Sequence, residues 1–541
     1  MTSTPLNPCS ELSEAEILEA LETAGSINKA AIYLNTSRTR LQDRVKEIRG
    51  KFAALSMPAP IKLKSDNSGI QYWIFSSAQD RTKVHEPFLK NLEVYAEHLD
   101  ADIHIGGFTY MVSNADVWEK GSLKDVLFEP SIKKYMTNRQ HHVGDDIIFC
   151  GEQNTLPTAV NPLSGFETYT RDKWGIFPHP RVTLQSVPTM LRKPAKMNMT
   201  TGCVTLPNYI QKKAGIKAEF HHVIGAVLVA IDEDGDFFCR QLIADDSGGF
   251  YDLDKYIGGG EIFHGSRVEA ITWGDVHRKQ LCPYVAVGAW GYDTDTGEIN
   301  KNAYPNSMAG VLQPFHGFYH DVSDFRARNH HDIKNCHSRF ALHLQEEEDV
   351  EEEMVEVSQF LEAVQVSNCL NYVVEANHDL ALERWLREAD YREDPANALF
   401  FLRTQLKKYT AISMHLENYI LLEDVLRDYY NLEKTVFLSE KDSKVICGNI
   451  ENSLHGHSGA NGARATPKSF SRMGSKANTA HTHTAGIVEG IWTCGTSSKL
   501  IMNYNKQGLS SWSNSHIVTH QNGKRQMITM QGMKWREGTL R

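Results

Sequence analysis

Four short polar signatures follow one another along the chain: Gly274-Asp275-Val276-His277, His320-Asp321-Val322-Ser323-Asp324, Asn377-His378-Asp379 and Ala480-His481-Thr482-His483. His457 stands before the last of them. Their donors are carboxylate, amide and imidazole, with no cysteine thiolate, which suits two divalent ions of the Mn, Fe or Zn kind better than a structural zinc. Two such ions sharing a bridging carboxylate can clamp a phosphate, lower the pKa of a bound water and stabilise in-line displacement at phosphorus. Asp321 is the bridging candidate. His455 rivals His457 as a donor; Gly456 before His457 and an Asn/Gly turn after it favour His457.

The ordered series resembles the calcineurin-like metallophosphoesterase superfamily, over roughly residues 266 to 520. The resemblance implies one metal on Asp275, His277, Asp321 and His483, and a second on Asp321, Asn377, His457 and His481. It also implies His378 as general acid, with Asp379 holding that imidazole in the useful tautomer. His320, Ala376 and Ala480 stand where the family pattern has glycine, which bears on loop conformation more than on ligand identity. In size and overall pattern the chain also resembles phage-encoded proteins of host-DNA degradation and genome transfer. That resemblance implies the host cytoplasm as the place of action and Mn²⁺ ahead of Fe or Zn as the metal.

Something must hold these donors in place. Val268–Trp273 and Leu370–Val374 are short runs rich in β-branched and aromatic residues, each followed at once by donors, so the ligands are expected just past strand ends. Ser515–His520, the turn Gln521-Asn522-Gly523 and Arg525–Met530 predict a hairpin that completes the second sheet. The expected fold is α/β: a metallophosphoesterase two-sheet sandwich flanked by helices over 266–541, preceded by a mixed α/β domain over 69–265. A linker over 51–68 and an N-terminal helix-turn-helix over 1–50 come before it.

The chain has 541 residues, 41% of them hydrophobic, enough for two to four packed domains. Nine cysteines, odd in number and without a Cys-x-x-Cys, point to a reducing compartment. No apolar run approaches the roughly 20 residues of a membrane span. The first eight residues lack the features of a secretory signal. A cytoplasmic protein without membrane contact is expected, with self-association left open.

The net charge of −10 is unevenly spread. Glu346–Glu353 carries seven acidic residues and reads as a solvated helix face. Near the N-terminus, Ser13 and Glu16 form a capping-box pair, and three short helices end in one that presents Arg38, Arg40, Arg44 and Lys46. From Lys29 to Lys51 there are seven Lys or Arg against two acidic residues, a balance that suits DNA; a protein-docking module is the alternative. Residues 456–479 hold Arg464, Lys468, Arg472 and Lys476 and no acid, a cationic loop expected beside the metals. The pairs His141-His142 and His221-His222 have no carboxylate at ligand spacing and stay unassigned, while His330-His331, nine and ten residues after Asp321, suit either a contact to a substrate phosphate or a structural role. Together these features predict a DNA-directed, two-metal phosphodiesterase. The alternatives are a phosphatase or small-molecule phosphodiesterase of the same superfamily, and a DNA-binding regulator with a non-catalytic metal centre.

Overall fold

The computed structural model describes residues 69–110, 127–191, 193–329, 333–366, 368–502 and 505–538, with isolated positions between 12 and 44. It is a mixed α/β structure built on three main sheets.

The first is six-stranded. Thr435–Leu438, Leu370–Val374, His316–His320 and Ala270–Thr272 lie side by side in parallel, and the antiparallel pair Ser515–Thr519 and Arg525–Thr529 continues beyond Ala270–Thr272. The expected hairpin is present, with Thr519 opposite Arg525. It extends the sheet that carries the first three signatures, not the second sheet. Parallel strands share a direction, so their carboxyl ends gather at one edge, and the first three signatures all leave from that edge.

The second sheet has ten strands, five from residues 140–200 and five from residues 445–493. The two groups meet where Gly486–Val488 pairs antiparallel with Leu184–Val187. The stretches 69–265 and 266–541 therefore share one continuous sheet, and position 265 is no boundary between separate layers. The third sheet is five-stranded, ordered Phe237–Ile243, Gly225–Ile231, Gln71–Gln79, Asp102–Phe108 and Met136–Thr137.

Alternation along the strands decides how these sheets stack. Phe75, Val227 and Val229 of the third sheet, and Ile517 and Met527 of the first, pack in one cluster with Phe149, Ile176, Met199 and Trp492 of the ten-stranded sheet. The first and third sheets also touch edge to edge: Met527 N donates to Gln241 Oε1 at 2.9 Å and Gln526 Nε2 to the Gln241 carbonyl at 3.1 Å. They thus form one broken layer over the ten-stranded sheet. On their outer faces lie helices. Glu86–Leu99 buries Phe88, Leu92 and Tyr95 against the third sheet, while Pro283–Trp290 and Val350–Ala363 bury Trp290, Met354 and Phe360 against the first.

The acidic run is not one solvated face. Asp349 caps the helix Val350–Ala363 through the Glu352 amide, placing Glu351 and Glu352 in a first turn that favours negative charge. Glu353 is buried and accepts from the amides of Arg326 and Ala327, and burial, followed by the nearby Asp324, raises its carboxyl to about 7.

At the N-terminus, Ser13 N donates to Glu16 Oε2 at 2.8 Å and Glu16 N to Ser13 Oγ at 3.3 Å, the reciprocal pair of a capping box. Ile17, Ala20, Ala31 and Leu41 are helical and buried. Arg44 is helical and partly exposed; Arg38, Arg40 and Lys46 lie outside the described residues, as do the linker 51–68 and His330-His331. No helix among the described residues is long and apolar enough to cross a membrane.

Candidate metal centre

The first signature starts where the Ala270–Thr272 strand stops. Its backbone stays pinned on both sides: Val276 N donates to the His320 carbonyl at 3.0 Å, His277 N to the Asp321 carbonyl at 2.8 Å and Ser497 N to the Asp275 carbonyl at 2.8 Å. Gly274 is required here, because a Cβ would stand 2.7–2.9 Å from backbone atoms of Gly495 and Thr496. The second and third signatures leave the ends of His316–His320 and Leu370–Val374, and the last leaves Lys476–Thr479 of the facing sheet.

Four of the donor residues adopt left-handed backbone, with φ of +44° at His277, +43° at Asp321, +72° at His481 and +54° at His483. Non-glycine residues hold that conformation at a cost on the order of 1 kcal/mol or more each, and only where surrounding structure enforces it. The special turns fall on Asp321 and His481 themselves rather than on His320 and Ala480, and Ala376 also keeps negative φ. No glycine is needed before those donors, so His320, Ala376 and Ala480 fit where the metallophosphoesterase pattern has glycine.

Asp275, His277, Asp321 and His483 converge, with one donor atom from each lying within 4.8 Å of the others, all buried. His277 Nε2 and His483 Nε2 face each other at 3.0 Å, and Asp321 Oδ2 lies 3.8 Å from His277 Nε2. A second group joins Asp321 to His455 and His481. His455 Nε2 lies 3.2 Å from Asp321 Oδ2 and 3.0 Å from Asn377 Oδ1, so Asn377 belongs to the same group. Asp321 is common to both, as expected of a bridge.

One donor changes. His457 turns to Glu440, with Nε2 2.9 Å from Oε1, and keeps 17% of its side-chain surface exposed. His455, which is buried, takes the place expected for His457. The reason is Gly456, whose φ of +121° lets the backbone lie against Ala480 and His481; beyond that bend the chain points away.

The partner of His378 changes too. Its Nδ1 lies 3.1 Å from the Asp324 carbonyl oxygen and 3.9 Å from Asp324 Oδ1, and its backbone amide donates to Asp321 Oδ1 at 3.0 Å. Asp379 instead accepts from the Ser323 amide at 3.0 Å, fixing the loop that carries Asp321 and Asp324. Burial, then Asp321, holds the Asp379 carboxyl well above the usual carboxylate range. Asp324, whose Oδ1 lies 3.2 Å from His277 Nδ1, orients a donor imidazole from behind. Its place three residues after Asp321 was the only sequence signal for this.

The chemistry of the donor set fits divalent ions. Both carboxylate oxygens of Asp275 and the Nδ1 atoms of His455 and His483 are buried without a hydrogen-bond partner, although such atoms normally find one. His483 Nε2 approaches Asp275 Oδ2 to 3.0 Å without hydrogen-bond geometry, as donors aimed at a common point do. Burial pulls the His455 imidazole down, but Asp321, and then Asp275 and Asp379, outweigh it and lift the group to about 9. Burial and the neighbouring His455 push His481 down to about 4. His320 was not foreseen here; it is fully buried, with neither ring nitrogen hydrogen-bonded and its ring 5.5 Å from that of His455. A further carboxylate group, Asp232, Asp234 and Asp236, already surrounds the Lys534 ammonium at 2.6–2.8 Å.

The cationic stretch 456–479 is more ordered than a flexible loop. Thr466 and Ser469 form a capping box around Pro467–Phe470, and Phe470 packs with Ala465, Ala477 and Ile491. Arg464 bridges back to Ser458 beside His457, whereas Lys468, Arg472 and Lys476 line a cleft elsewhere.

No family model matches the sequence. Over 473 residues the chain is 36% identical to protein A1 of Escherichia phage T5, an alignment that spans 86% of this chain and 82% of that protein. Such similarity over nearly the whole of both chains supports a bacteriophage origin, and the chain belongs to the family of phage T5 protein A1.

Proposed function

We propose that this chain is a metal-dependent phosphodiesterase acting on DNA, a nuclease of the calcineurin-like type working in the host cytoplasm. The observation that carries the proposal is the pair of donor groups, one buried and one partly so, joined through Asp321 at the carboxyl edge of a parallel sheet. Asp275, His277, Asp321 and His483 would hold one ion, and Asp321, Asn377, His455 and His481 the other, with Mn²⁺ preferred to Fe or Zn. When bound, the ions supply charge stabilisation at phosphorus and an ionised water.

The protein's own groups do the rest. Asp321 spends Oδ1 on the His378 amide and leaves Oδ2 toward His277 and His455, so it can serve both sides. His378 keeps 15% of its side chain exposed, its ring perpendicular to that of His277 at 4.7 Å, within reach of a leaving oxygen. With Nδ1 against the Asp324 carbonyl, Nε2 is the atom that would carry the proton to a leaving group. DNA as substrate is supported by the basic N-terminal segment, read as a helix-turn-helix, which a phosphatase of small molecules would not need.

Incubating purified protein with plasmid DNA, linear DNA and a chromogenic phosphomonoester, each with Mn²⁺ or EDTA, tests this. DNA cleavage that needs Mn²⁺ and disappears in Asp321→Asn, together with metal binding, is expected. Turnover of the monoester alone would make the protein a phosphatase, and DNA binding without cleavage a regulator.

A further inference from the structure

A cleft of about 1810 Å³ opens at the opposite end of the sheets from the metal centre. Lys476, on its wall, opens the strand whose far end leads to His481, and Gly490 precedes the neighbouring Ile491–Thr493. Five steps along the chain separate Lys476 from His481, roughly 15 Å if extended. The hairpin turn with Lys524 and Arg525 lies at this same end, while Ser513, at the other end, bonds to His483.

The cleft is cationic in an acidic protein. Eight Lys or Arg line it against three carboxylates, Asp245, Asp246 and Glu489. Glu489 is already engaged by Arg181 at 2.9 Å and Lys217 at 3.1 Å, and Asp245 accepts from Ser247, Gly249 and Tyr256. Arg525 meets no carboxylate; it is buried, donates to Ala477, Asn478 and Gly490, and lies over the Trp492 ring. Lys213, Lys468, Arg472, Lys476 and Lys524 have no carboxylate partner among the described residues. Burial, then Arg525 and Lys524, lower the Lys476 ammonium, the sign of cations gathered without counter-charge.

One wall adds apolar surface. The helix Lys213–Phe220 turns Lys213, Ile216, Lys217 and Phe220 to the cleft, a single face at helical spacing. Phe220 is 83% exposed and Ile216 53% exposed. Unpaired cations beside an exposed aromatic ring form the surface that single strands use, with phosphates on the cations and bases on the ring.

We infer that this cleft binds a single-stranded stretch of nucleic acid, as a contact region separate from the metal centre. The inference shares with the proposed function only the choice of DNA as ligand, and binding can be measured without hydrolysis.

The test uses the full chain in EDTA with a fluorescent oligodeoxynucleotide, single-stranded or duplex, over a salt series. Replacing the exposed Lys213, Lys468 and Arg472 together by alanine should weaken single-strand binding at least tenfold and flatten the salt slope by about two, near 0.7 for each lost phosphate contact. Phe220→Ala should weaken single-strand binding with the slope unchanged. Unaltered affinity and slope in the triple variant would overturn the inference, as would a loss confined to duplex. Loss in the triple variant with no effect of Phe220→Ala, and equal competition by inorganic polyphosphate, would also overturn it in favour of a general anion site. Mn²⁺-dependent cleavage, assayed on the same preparations, judges the proposed function separately: binding without cleavage would sink that function and leave this cleft standing.

Discussion

Asp321 faces two donor groups through one oxygen, and under the proposed function the residues around it would divide between holding metal and reacting. His455→Ala should lower Mn²⁺ affinity by at least an order of magnitude, whereas His457→Ala, which loses the contact to Glu440 and the looser ring contacts with His455 and His481, should leave affinity within about twofold. Titration calorimetry on the two variants distinguishes them, and the reverse order would restore His457 as donor. His378→Ala should retain metal yet slow DNA cleavage by roughly 10²- to 10⁴-fold, the usual contribution of a positioned acid. Metal loss in that variant would make His378 a ligand. Most of this centre was legible in the sequence because donor types in a fixed order survive the absence of structural context. The choice between His455 and His457 was not. Gly456 was a true signal assigned to the wrong cause: it permits close packing on Ala480 and His481 and does not mark the ligand beside it.

At the scale of elements, the centre depends on how closely the segments behind it approach. Gly495 has no room for a side chain, since a Cβ there would stand 1.9 Å from the Ser513 carbonyl oxygen. Its own carbonyl accepts from Asp275 N at 3.3 Å, and Ser513 N donates to the His483 carbonyl at 3.1 Å. Gly495→Ala should therefore cost about 1–3 kcal/mol of stability by forcing these segments apart, and should weaken Mn²⁺ binding as well. Gly486→Ala is the control: its Cβ would meet only the Leu184 carbonyl oxygen at 3.8 Å, and melting temperature and metal affinity should hardly move. Two of the four strands that carry donors, Ala270–Thr272 and Leu370–Val374, were legible from their β-branched and aromatic runs; His316–His320 and Lys476–Thr479 have no β-branched run and were not. The helix Pro467–Phe470 also had its signal in Thr466, Pro467 and Ser469, but the surrounding Gly and Ser made the stretch read as a loop.

Across the whole molecule, residues distant in sequence are locked together by a buried ionic group. Arg240 of the five-stranded sheet donates to Asp252 at 2.6 Å and to Glu537, near the end of the chain, at 2.5 Å; Tyr95 adds a bond to Asp252 at 2.7 Å. Arg240→Met would strand the buried Asp252 and the partly buried Glu537 and should cost about 3–5 kcal/mol at neutral pH, read by denaturant unfolding. Burial raises the Asp252 carboxyl, but Arg240 outweighs it and holds the group down at about 2. A depressed carboxyl stabilises above its unfolded value near 3.8 and loses that contribution as pH falls through about 2. The deficit of the variant should accordingly be largest at neutral pH and narrow below about pH 4; a pH-independent deficit would point to lost packing instead.

The continuity of the ten-stranded sheet was the least legible feature. Pairing between Leu184–Val187 and Gly486–Val488 leaves no local mark in either segment. That pairing also sets a clock on synthesis. The strand Leu184–Val187, paired on one side with the nearby Lys196–Thr200, must wait for its other partner roughly 300 residues further on, which at about 5–20 residues per second takes on the order of 15–60 s. His481 and His483 emerge just ahead of that partner, so a nascent chain carries Asp275 and Asp321 long before either donor group joined through Asp321 is complete. If the centre acts as proposed, the growing polypeptide should stay inactive until the segment that carries His481 and His483 has been made and has folded.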